Sequence, residues 1–224
     1  MAVLGDHEGR PYQEETMPTK LTIPISESDI RALRVGDSVL LDGVMVTGRD
    51  AAHKYLMETF VKPAGAVPES EKELYGKLKE LLAGGVIYHC GPVVKKLPDG
   101  KWAFAAAGPT TSIREEPYQA DVIGHFGLRG VIGKGGMADR TLAGCQKYGA
   151  VYFHAIGGAG TLIAECVKEV LTVYKKDEFG VPEAFWVIRA QDFPVVVTMD
   201  AHGNSLHADV KAKSQARLAE LIKS

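Results

Sequence analysis

Short apolar runs, separated by glycine and proline breaks, follow one another along most of the chain and predict short strands and helices. The predicted strands are Leu21–Ile25, Ser38–Leu41, Val44–Thr47, Val86–Cys90, Trp102–Ala107, Gly130–Gly133, Ala150–Ala155, Glu169–Tyr174, Ala184–Arg189 and Pro194–Met199. The predicted helices are a short one between Ser26 and Gly36, then Asp50–Val61, Glu69–Leu82, Tyr118–His125, Asp139–Lys147, Thr161–Val167 and Asp209–Lys223. A β-rich first part is followed by alternating β and α, which predicts one α/β domain over residues 21–224 behind an N-terminal arm over residues 1–20.

Two local signals make this outline more specific. Ser26 is followed three residues later by Asp29, which resembles a capping box and predicts a helix start. Asp42-Gly43 lies between two apolar runs, and Asp-Gly in that setting is a strong hairpin signal. We therefore expect a helix capped by Ser26 and a β-hairpin that turns at Asp42-Gly43.

The segment Gly108–Arg114 presents two hydroxyls and a guanidinium at the end of the predicted strand Trp102–Ala107. Glycine lets a ligand approach the backbone closely, and the arginine fork fits a carboxylate or a phosphate in bidentate fashion. The same residues also fit a strand-to-helix turn with a threonine N-cap and a surface arginine. The segment taken alone leaves both interpretations open.

Three cationic residues, Arg49, Arg114 and Lys134, each stand at a predicted strand-to-helix junction. In open α/β sheets ligands bind at the carboxyl ends of strands, so junctions that share one edge would bind a small dianion such as a dicarboxylate. Asp50 begins the helix after Arg49, where the helix dipole favours a carboxylate. His53 is the best-placed histidine for a supporting role behind the site. The alternative is three solvated basic side chains.

Two glycine-rich stretches fail the nucleotide-binding motifs. Gly133–Gly136 lacks both the earlier glycine and the hydroxyl residue that a P-loop requires. Gly157–Gly160 lacks the third glycine of the dinucleotide fingerprint, because Ile163 stands in its place. The candidate site therefore contains cations and hydroxyls but no nucleotide loop.

Composition narrows the possible classes of function. The 224 residues are 46% hydrophobic, enough for a full core, and a net charge of −2 gives no case for nucleic-acid or anionic-membrane binding. No apolar run approaches the roughly 18 residues of a membrane span, and the first residues lack a secretory signal pattern, so we expect a cytoplasmic protein. The three cysteines are sparse and widely spaced, which argues against both a disulfide framework and a metal site. They are Cys90, Cys145 and Cys166.

Four motifs, taken together and in this order, resemble the C-terminal (beta) part of class I fumarases and L(+)-tartrate dehydratases. They are Thr47–His53, Gly108–Arg114, Ile132–Gly136 and Asp192–Val195. The similarity runs from about Leu21 to Leu206, and the combination of GRDxAH with GPTTxxR is highly specific. The resemblance implies a swivelling β/β/α domain. It also implies a hydro-lyase of the fumarate hydratase type, a tricarboxylic acid cycle activity, or an enzyme that eliminates water from a related hydroxy-dicarboxylate.

The same resemblance implies a cofactor and partners. In the family a four-iron four-sulfur cluster does the Lewis-acid work, and in two-subunit members its cysteines belong to an alpha chain. None of the three cysteines of this chain is therefore assigned to a cluster. The implied assembly is a heterotetramer in which beta chains also contact each other, and the alpha partner should dock on an exposed apolar surface of this chain.

The resemblance also assigns roles to individual residues. Arg49 and Arg114 would hold substrate carboxylate, Thr110 would be the general base, Thr111 would hydrogen-bond the substrate and Lys134 would complete the anionic pocket. A threonine hydroxyl can act as a base only if neighbouring cations lower its pKa.

The chain departs from the family pattern at one place. Glu115-Glu116 stands where the pattern has Met-Asp. This difference leaves the charged residues of the motif in place but bears on the identity of the substrate. Tartrate or another hydroxy-dicarboxylate is thus an alternative to fumarate. A stand-alone dianion-binding module without catalysis is the alternative of another class.

Overall fold

The computed structural model describes residues 17–62 and 66–223. Most of the predicted arm and part of the predicted loop over residues 63–68 lie outside these ranges. The last two residues predicted for the arm, Thr19 and Lys20, are the first two of strand β1. No helix within the described ranges combines the length and the apolar character that a membrane span needs.

Nine strands and eight α-helices are present in the described ranges. The strands are β1 (Thr19–Ile23), β2 (Ser38–Thr47), β3 (Val86–Tyr88), β4 (Val93–Lys96), β5 (Trp102–Ala106), β6 (Gly130–Gly133), β7 (Val151–His154), β8 (Val167–Tyr174) and β9 (Phe185–Met199). The helices are α1 (Glu27–Ala32), α2 (Asp50–Leu56), α3 (Lys72–Leu82), α4 (Glu116–Phe126), α5 (Asp139–Tyr148), α6 (Gly160–Cys166), α7 (Lys176–Phe179) and α8 (Leu206–Lys223). A π-helical turn (Met57–Val61) extends α2, and 3₁₀ turns (Glu69–Glu71 and Ser112–Glu115) precede α3 and α4.

Seven strands form one sheet in the order β1-β2-β3-β6-β7-β9-β8, and β9 also pairs with β2. This second pairing closes β2, β3, β6, β7 and β9 into a ring. The neighbours β2, β3, β6 and β7 run parallel, and β9 runs antiparallel to both β2 and β7. The carboxyl ends of β2, β3, β6 and β7 therefore meet at one edge. The predicted α/β class is confirmed.

The core lies on both faces of these strands, as the alternation of side chains in β3 shows. Val86 and Tyr88 pack with one buried cluster, which includes Trp186 and Phe193 of β9. Ile87 points the other way and packs with the buried cluster beneath α2, α3, α4 and α5. Successive side chains of a strand point to opposite faces, so a short strand that is buried on both faces is apolar throughout.

The predicted hairpin at Asp42-Gly43 is wrong, because β2 runs without a turn from Ser38 to Thr47. The register against β9 shifts between Leu41 and Gly43, which makes the Asp-Gly pair a bulge. Gly43 has φ +119°, and a Cβ there would lie 2.7 Å from the Ile23 carbonyl oxygen of β1. Close packing of β1 therefore explains the glycine.

The two strands predicted at the C-terminal end of the sheet are a single strand, β9, with a bend at Asp192 (φ +51°). The bend lies opposite the bulge of β2, where the Asp42 carboxylate accepts the Asp192 backbone N–H at 2.6 Å. Lys20 binds both carboxylates, at 2.9 Å to Asp42 and 2.7 Å to Asp192. These contacts come from three separate parts of the chain and keep both strands continuous through their irregular points.

The capping prediction is confirmed. The Ser26 hydroxyl accepts a hydrogen bond from the Asp29 backbone N–H at 3.1 Å. Helix α1 begins at Glu27, directly after Ser26. The helix ends at Ala32, earlier than the predicted stop at Gly36.

Candidate functional site

The edge formed by the parallel strands carries two of the three predicted cations. Arg49 lies two residues after the end of β2, and Lys134 directly follows β6. Strand β3 lies between these two strands and is followed by His89. The junctions after β2 and β6 thus share an edge, as the sequence analysis expected. The closed ring fixes their spacing, because each strand is hydrogen-bonded to its neighbour.

The segment Gly108–Arg114 enters the same edge between β3 and β6. Thr110 donates its backbone N–H to the His89 carbonyl at 2.6 Å, and Lys134 donates its own to the Thr110 carbonyl at 3.1 Å. Ser112 N–H then bonds the Lys134 carbonyl at 3.1 Å. Thr110 and Thr111 therefore lie directly beside Lys134, held by main-chain bonds that no side-chain change removes.

The interpretation of this segment as a threonine-capped turn is not supported. Thr111 is the residue before the 3₁₀ turn Ser112–Glu115, but its hydroxyl makes no capping bond. Within the ranges 17–62 and 66–223, neither the Thr110 nor the Thr111 hydroxyl has a hydrogen-bond partner. Thr110 is half-buried and Thr111 is exposed. Both hydroxyls are thus available to a ligand.

Arg114 reaches the site through an ion pair with Asp50, the first residue of α2. The arginine side chain remains 56% exposed, and in the described part of the chain Asp50 is its one partner. The contact leaves other N–H groups of the guanidinium free to bind an anion from solvent. Asp50, predicted as a helix-terminal carboxylate, therefore also orients the third predicted cation.

Arg49 is packed more tightly than Arg114. Its Nε lies 3.4 Å from Glu183 Oε1, and the second oxygen of Glu183 accepts the Ala51 backbone N–H at 3.1 Å. A Cβ at Gly91 would lie 2.3 Å from one terminal nitrogen of Arg49, so only glycine leaves room for the guanidinium there. Sequence reasoning missed Glu183, which lies 134 positions from Arg49 in a region without a motif.

A buried polar network supports the Thr110 segment from behind. Tyr152 of β7 donates its hydroxyl to Ser112 Oγ at 2.8 Å, and Ser112 Oγ lies 2.8 Å from His89 Nδ1. His89 Nε2 is 2.8 Å from Gln119 Oε1. The Gln119 oxygen can only accept, so the neutral His89 ring carries its proton on Nε2, and the Ser112 hydroxyl donates to His89 Nδ1. Ser112 belongs to the predicted segment Gly108–Arg114, but Tyr152 and Gln119 carry no sequence signal. His89 is predicted from the sequence to be a strand histidine satisfied by backbone, and its partners are side chains instead.

His53 joins this network to Arg49. Its Nδ1 lies 3.0 Å from the Arg49 carbonyl, which can only accept, so the ring proton is on Nδ1. The remaining ring nitrogen, Nε2, is buried and has no hydrogen-bond partner in the described chain, and the same holds for the amide nitrogen of Gln119. The His53 and His89 rings meet edge to face, with centroids 4.9 Å apart. His53 therefore supports the site from behind, in the position that the sequence analysis expected.

Both histidines of the network are neutral. Burial lowers the pKa of His53, and it lowers the pKa of His89 well below its usual value, with a further contribution from His53. For His53 the cost of burying a charged imidazole outweighs the favourable effect of the Asp50 charge. The cationic character of the site thus comes from Arg49, Arg114 and Lys134.

Gly133→Ala should break this network and destabilise the chain. A Cβ at Gly133 would lie 1.8 Å from Ser112 Oγ and 3.0 Å from the Tyr152 hydroxyl, so Ser112 must move away from His89. We expect a loss of about 3 kcal/mol in unfolding free energy, measured by urea denaturation. Gly76→Ala is the matched control, because nothing lies within 4 Å of a Cβ there and the helix should gain about 1 kcal/mol. Equal stability of the two variants would contradict the prediction.

Lys134 is the cation with the fewest contacts. In the described residues its ammonium group has neither an ion pair nor a hydrogen bond. Its side chain passes Gly157, where a Cβ would lie 3.5 Å from Lys134 Cδ. The glycine-rich stretch after β7 therefore lies alongside the lysine, and its small residues leave the ammonium accessible.

The cysteines of this chain do not fit an iron–sulfur cluster. Cys90 and Cys145 are fully buried, and burial raises the pKa of each thiol to about 12. Burial also raises the pKa of Cys166, on α6. A cluster ligand must be a thiolate. Among the described residues, no group of three or more cysteine, histidine or acidic side chains is arranged to hold a metal ion.

The arrangement suits a small anion with two negative groups. Two guanidinium groups and one ammonium group border a pair of unbonded hydroxyls at one sheet edge. Charge-assisted hydrogen bonds from arginine are strongest with carboxylate or phosphate. Cations beside a hydroxyl also favour its ionised form and can stabilise negative charge that develops on a bound molecule.

Known proteins include several that are similar to this chain over most of its length. Residues 6–210 match the family model described as Fumarase C-terminus. Over 200 residues the chain is 48% identical to a protein of Geobacillus stearothermophilus named as a fumarate hydratase class I, covering 89% of this chain and 35% of that protein.

Two further relatives have nearly the length of this chain. A Methanocaldococcus jannaschii protein named as an L(+)-tartrate dehydratase subunit beta is 38% identical over 88% of this chain and 95% of its own length. The L(+)-tartrate dehydratase subunit beta of Escherichia coli is 38% identical over 85% of this chain and 87% of its own length. The chain therefore spans about a third of the fumarate hydratase relative and most of each tartrate dehydratase subunit. By the extent of the family match and by these identities, the chain belongs to the Fumarase C-terminus family.

Proposed function

We propose that this chain is the beta subunit of a heteromeric iron–sulfur hydro-lyase that interconverts fumarate and (S)-malate. The observation that carries the proposal is the shared edge of β2 and β6, where Arg49 and Lys134 border the hydroxyls of Thr110 and Thr111. The names of the relatives support the same class of reaction.

In the proposed reaction Arg49 and Arg114 bind the substrate carboxylates. Thr110 removes a proton from the carbon next to one carboxylate, and the electron pair of that C–H bond moves toward the carboxylate. Lys134 stabilises the additional negative charge that builds up there. The carbon–oxygen bond on the neighbouring carbon then breaks, the double bond forms, and the hydroxyl takes up a proton from solvent and leaves as water. Thr110 returns its proton to solvent, so no net proton is gained or lost. Thr111 holds the substrate by a hydrogen bond.

The remaining parts of the site belong to the partner in this proposal. An alpha chain would supply the cysteines of the four-iron four-sulfur cluster, since the thiols of this chain are protonated and scattered. The proposed assembly is a cytoplasmic heterotetramer with contacts between beta chains. Exposed apolar residues support docking near the site, because Ile113 is 49% exposed beside Arg114 and Ile156 is 63% exposed beside Gly157.

Tartrate is a second candidate substrate. The lengths of the relatives favour it. The chain covers 95% and 87% of two proteins named as L(+)-tartrate dehydratase subunit beta, but only 35% of the fumarate hydratase relative. Pocket contacts that separate the two substrates would come partly from the alpha chain.

A substrate panel on the reconstituted complex tests the proposal. The chain is combined anaerobically with an alpha chain encoded beside it, and fumarate, (S)-malate, L(+)-tartrate and mesaconate are assayed for hydration or dehydration. We expect turnover of fumarate and (S)-malate to exceed that of the other two. Faster turnover of tartrate would assign the alternative substrate.

The non-catalytic alternative makes a different prediction, which calorimetry can check. A stand-alone dianion-binding module would bind succinate tightly without a partner or iron. Half of a composite site should bind succinate weakly or not at all, because the partner's contacts are missing. Tight binding by the chain alone, together with an inactive complex, would overturn the hydro-lyase proposal.

A further inference from the structure

Glu115 is a buried acidic side chain without a donor. It ends the 3₁₀ turn that follows Thr111, its relative exposure is 0%, and neither carboxyl oxygen has a hydrogen-bond partner in the described chain. An ionised carboxylate in such a place would cost several kcal/mol unless donors compensated for it. The position therefore calls for a neutral carboxyl group.

Asp50 faces Glu115 across this interior. Asp50 binds Arg114 through Oδ2, while its Oδ1 is buried and also lacks a hydrogen-bond partner. Three buried carboxyl oxygens are thus left without a donor, two on Glu115 and one on Asp50. A single proton on Glu115 resolves most of this conflict, because the protonated carboxyl can donate to Asp50 Oδ1 and its other oxygen is then an uncharged carbonyl.

We propose that Glu115 holds a proton in the folded chain, donates it to Asp50 Oδ1, and thereby fixes Asp50 in the position from which Oδ2 orients Arg114. Glu115 is then a positioning residue for carboxylate binding. This second part rests on the proposed function, whereas the proton held between the two carboxyl groups does not.

The surrounding charges agree with a protonated Glu115. Burial, followed by the hydrogen bond and the negative charge of Asp50, raises the pKa of Glu115 to about 8. The nearby backbone N–H of Glu115, which is too poorly placed to count as a hydrogen-bond donor, and the Arg114 charge oppose this shift but do not cancel it. From β7 the hydroxyl of Tyr152 also faces Glu115, and burial keeps that hydroxyl protonated by raising the pKa of Tyr152. With Glu115 neutral, Arg114 and Asp50 balance each other. Ionisation would add a negative charge beside the arginine and weaken the binding of a dianion.

The proton itself can be tested on the full-length chain alone. Thermal unfolding of wild type and Glu115→Gln is measured between pH 4 and pH 9. In the wild type, folded Glu115 keeps its proton up to about pH 8, whereas Glu115 in the unfolded chain releases it above about pH 4.5. As the pH rises from 4.5 to 8, the wild type therefore loses stability relative to the variant. We expect the advantage in Tm of Glu115→Gln to grow by roughly 5 °C or more between pH 4.5 and pH 8.

Glu80→Gln is the matched control for this experiment, because Glu80 is an exposed glutamate on α3. Its Tm difference from wild type should stay constant over the same pH range. A constant difference for Glu115→Gln as well would overturn the proposal. If Glu115→Gln does not fold, the wild-type chain is titrated by ¹³C NMR of its glutamate carboxyl groups. One glutamate that titrates near pH 8 supports the proposal, and titration of all of them below pH 6 overturns it.

The positioning role is tested in the reconstituted complex with (S)-malate as the probe. As Glu115 ionises, we expect the wild-type KM to rise about tenfold from pH 7 to pH 9, with a smaller change in kcat. The KM of Glu115→Gln should not rise with it, because glutamine remains neutral. Parallel KM profiles of the two proteins would overturn the positioning role.

The two measurements separate failure of this inference from failure of the proposed function. A complex that turns over malate with parallel KM profiles keeps its function and loses the role of Glu115. A complex that acts on no dicarboxylate contradicts the proposed function, and the pH-dependent Tm of the chain still decides whether Glu115 holds the proton.

Discussion

Thr110→Ala should reduce kcat of the reconstituted complex by about 10³-fold with fumarate or (S)-malate, because the variant removes the group that is proposed to accept the substrate proton. The backbone of residue 110 is held by its bonds to His89 and Lys134, which alanine keeps. The variant should therefore have a lower kcat, with little change in KM or Tm. Steady-state kinetics in both directions, with thermal unfolding in parallel, would measure it.

Thr110→Ser is the matched control for this variant. Serine retains a hydroxyl on the same main-chain scaffold, so most of the activity should remain. Solvent deuterium exchange at the substrate carbon adds a direct readout of proton removal. A Thr110→Ala complex that exchanges this hydrogen at the wild-type rate would remove Thr110 from the role of base.

Arg114→Ala should have the second large effect, a decrease of about 10²- to 10³-fold in kcat/KM. The variant removes a guanidinium that is proposed to bind substrate carboxylate, and it leaves Asp50 without its ion-pair partner. Loss of binding should appear mainly in KM. Arg114→Lys should recover part of the activity, since it keeps the charge but loses the bidentate fork.

Arg140→Ala provides a control for the loss of an exposed arginine–aspartate pair. Arg140 binds Asp121 at 2.5 Å, and its side chain is 53% exposed, close to the 56% of Arg114. The pair joins α5 to α4, and its removal should change neither kcat nor KM. Equal losses in the two variants would mean that Arg114 acts through general electrostatics.

Residues at the ends of predicted strands could be located from the sequence, because the signals that place them are local. An apolar run followed by Gly-Arg-Asp marks the end of β2, and Gly-Lys-Gly-Gly marks the end of β6. The topological rule that ligands bind where parallel strands end then brings Arg49 and Lys134 together. The placement of Thr110 beside them follows a motif that is likewise continuous in sequence.

Features that depend on distant partners could not be located in this way. Asp42-Gly43 has the local signature of a hairpin, but Lys20 and Asp192 convert it to a bulge in a continuous strand. Tertiary contacts commonly override turn preference in this manner. The same reason applies to the network behind the site, since Tyr152 and Gln119 are brought to Ser112 only by the closed sheet. Glu115 differs from these residues. Its position next to Arg114 could be read from the sequence, but its burial could not be predicted from it.

The second pairing of β9 has a consequence for how the site can move. Hydrogen bonds close five strands of the sheet into the ring described above (β2, β3, β6, β7 and β9). Arg49 and Lys134 therefore cannot move apart unless all the hydrogen bonds between two neighbouring strands of the ring break. In the proposed complex, opening and closing around a substrate would then be a rigid-body rotation of the entire ring against the alpha chain. The hinge would lie outside the ring. Amide hydrogen exchange in the five strands would be slow and nearly uniform, whether or not substrate is bound.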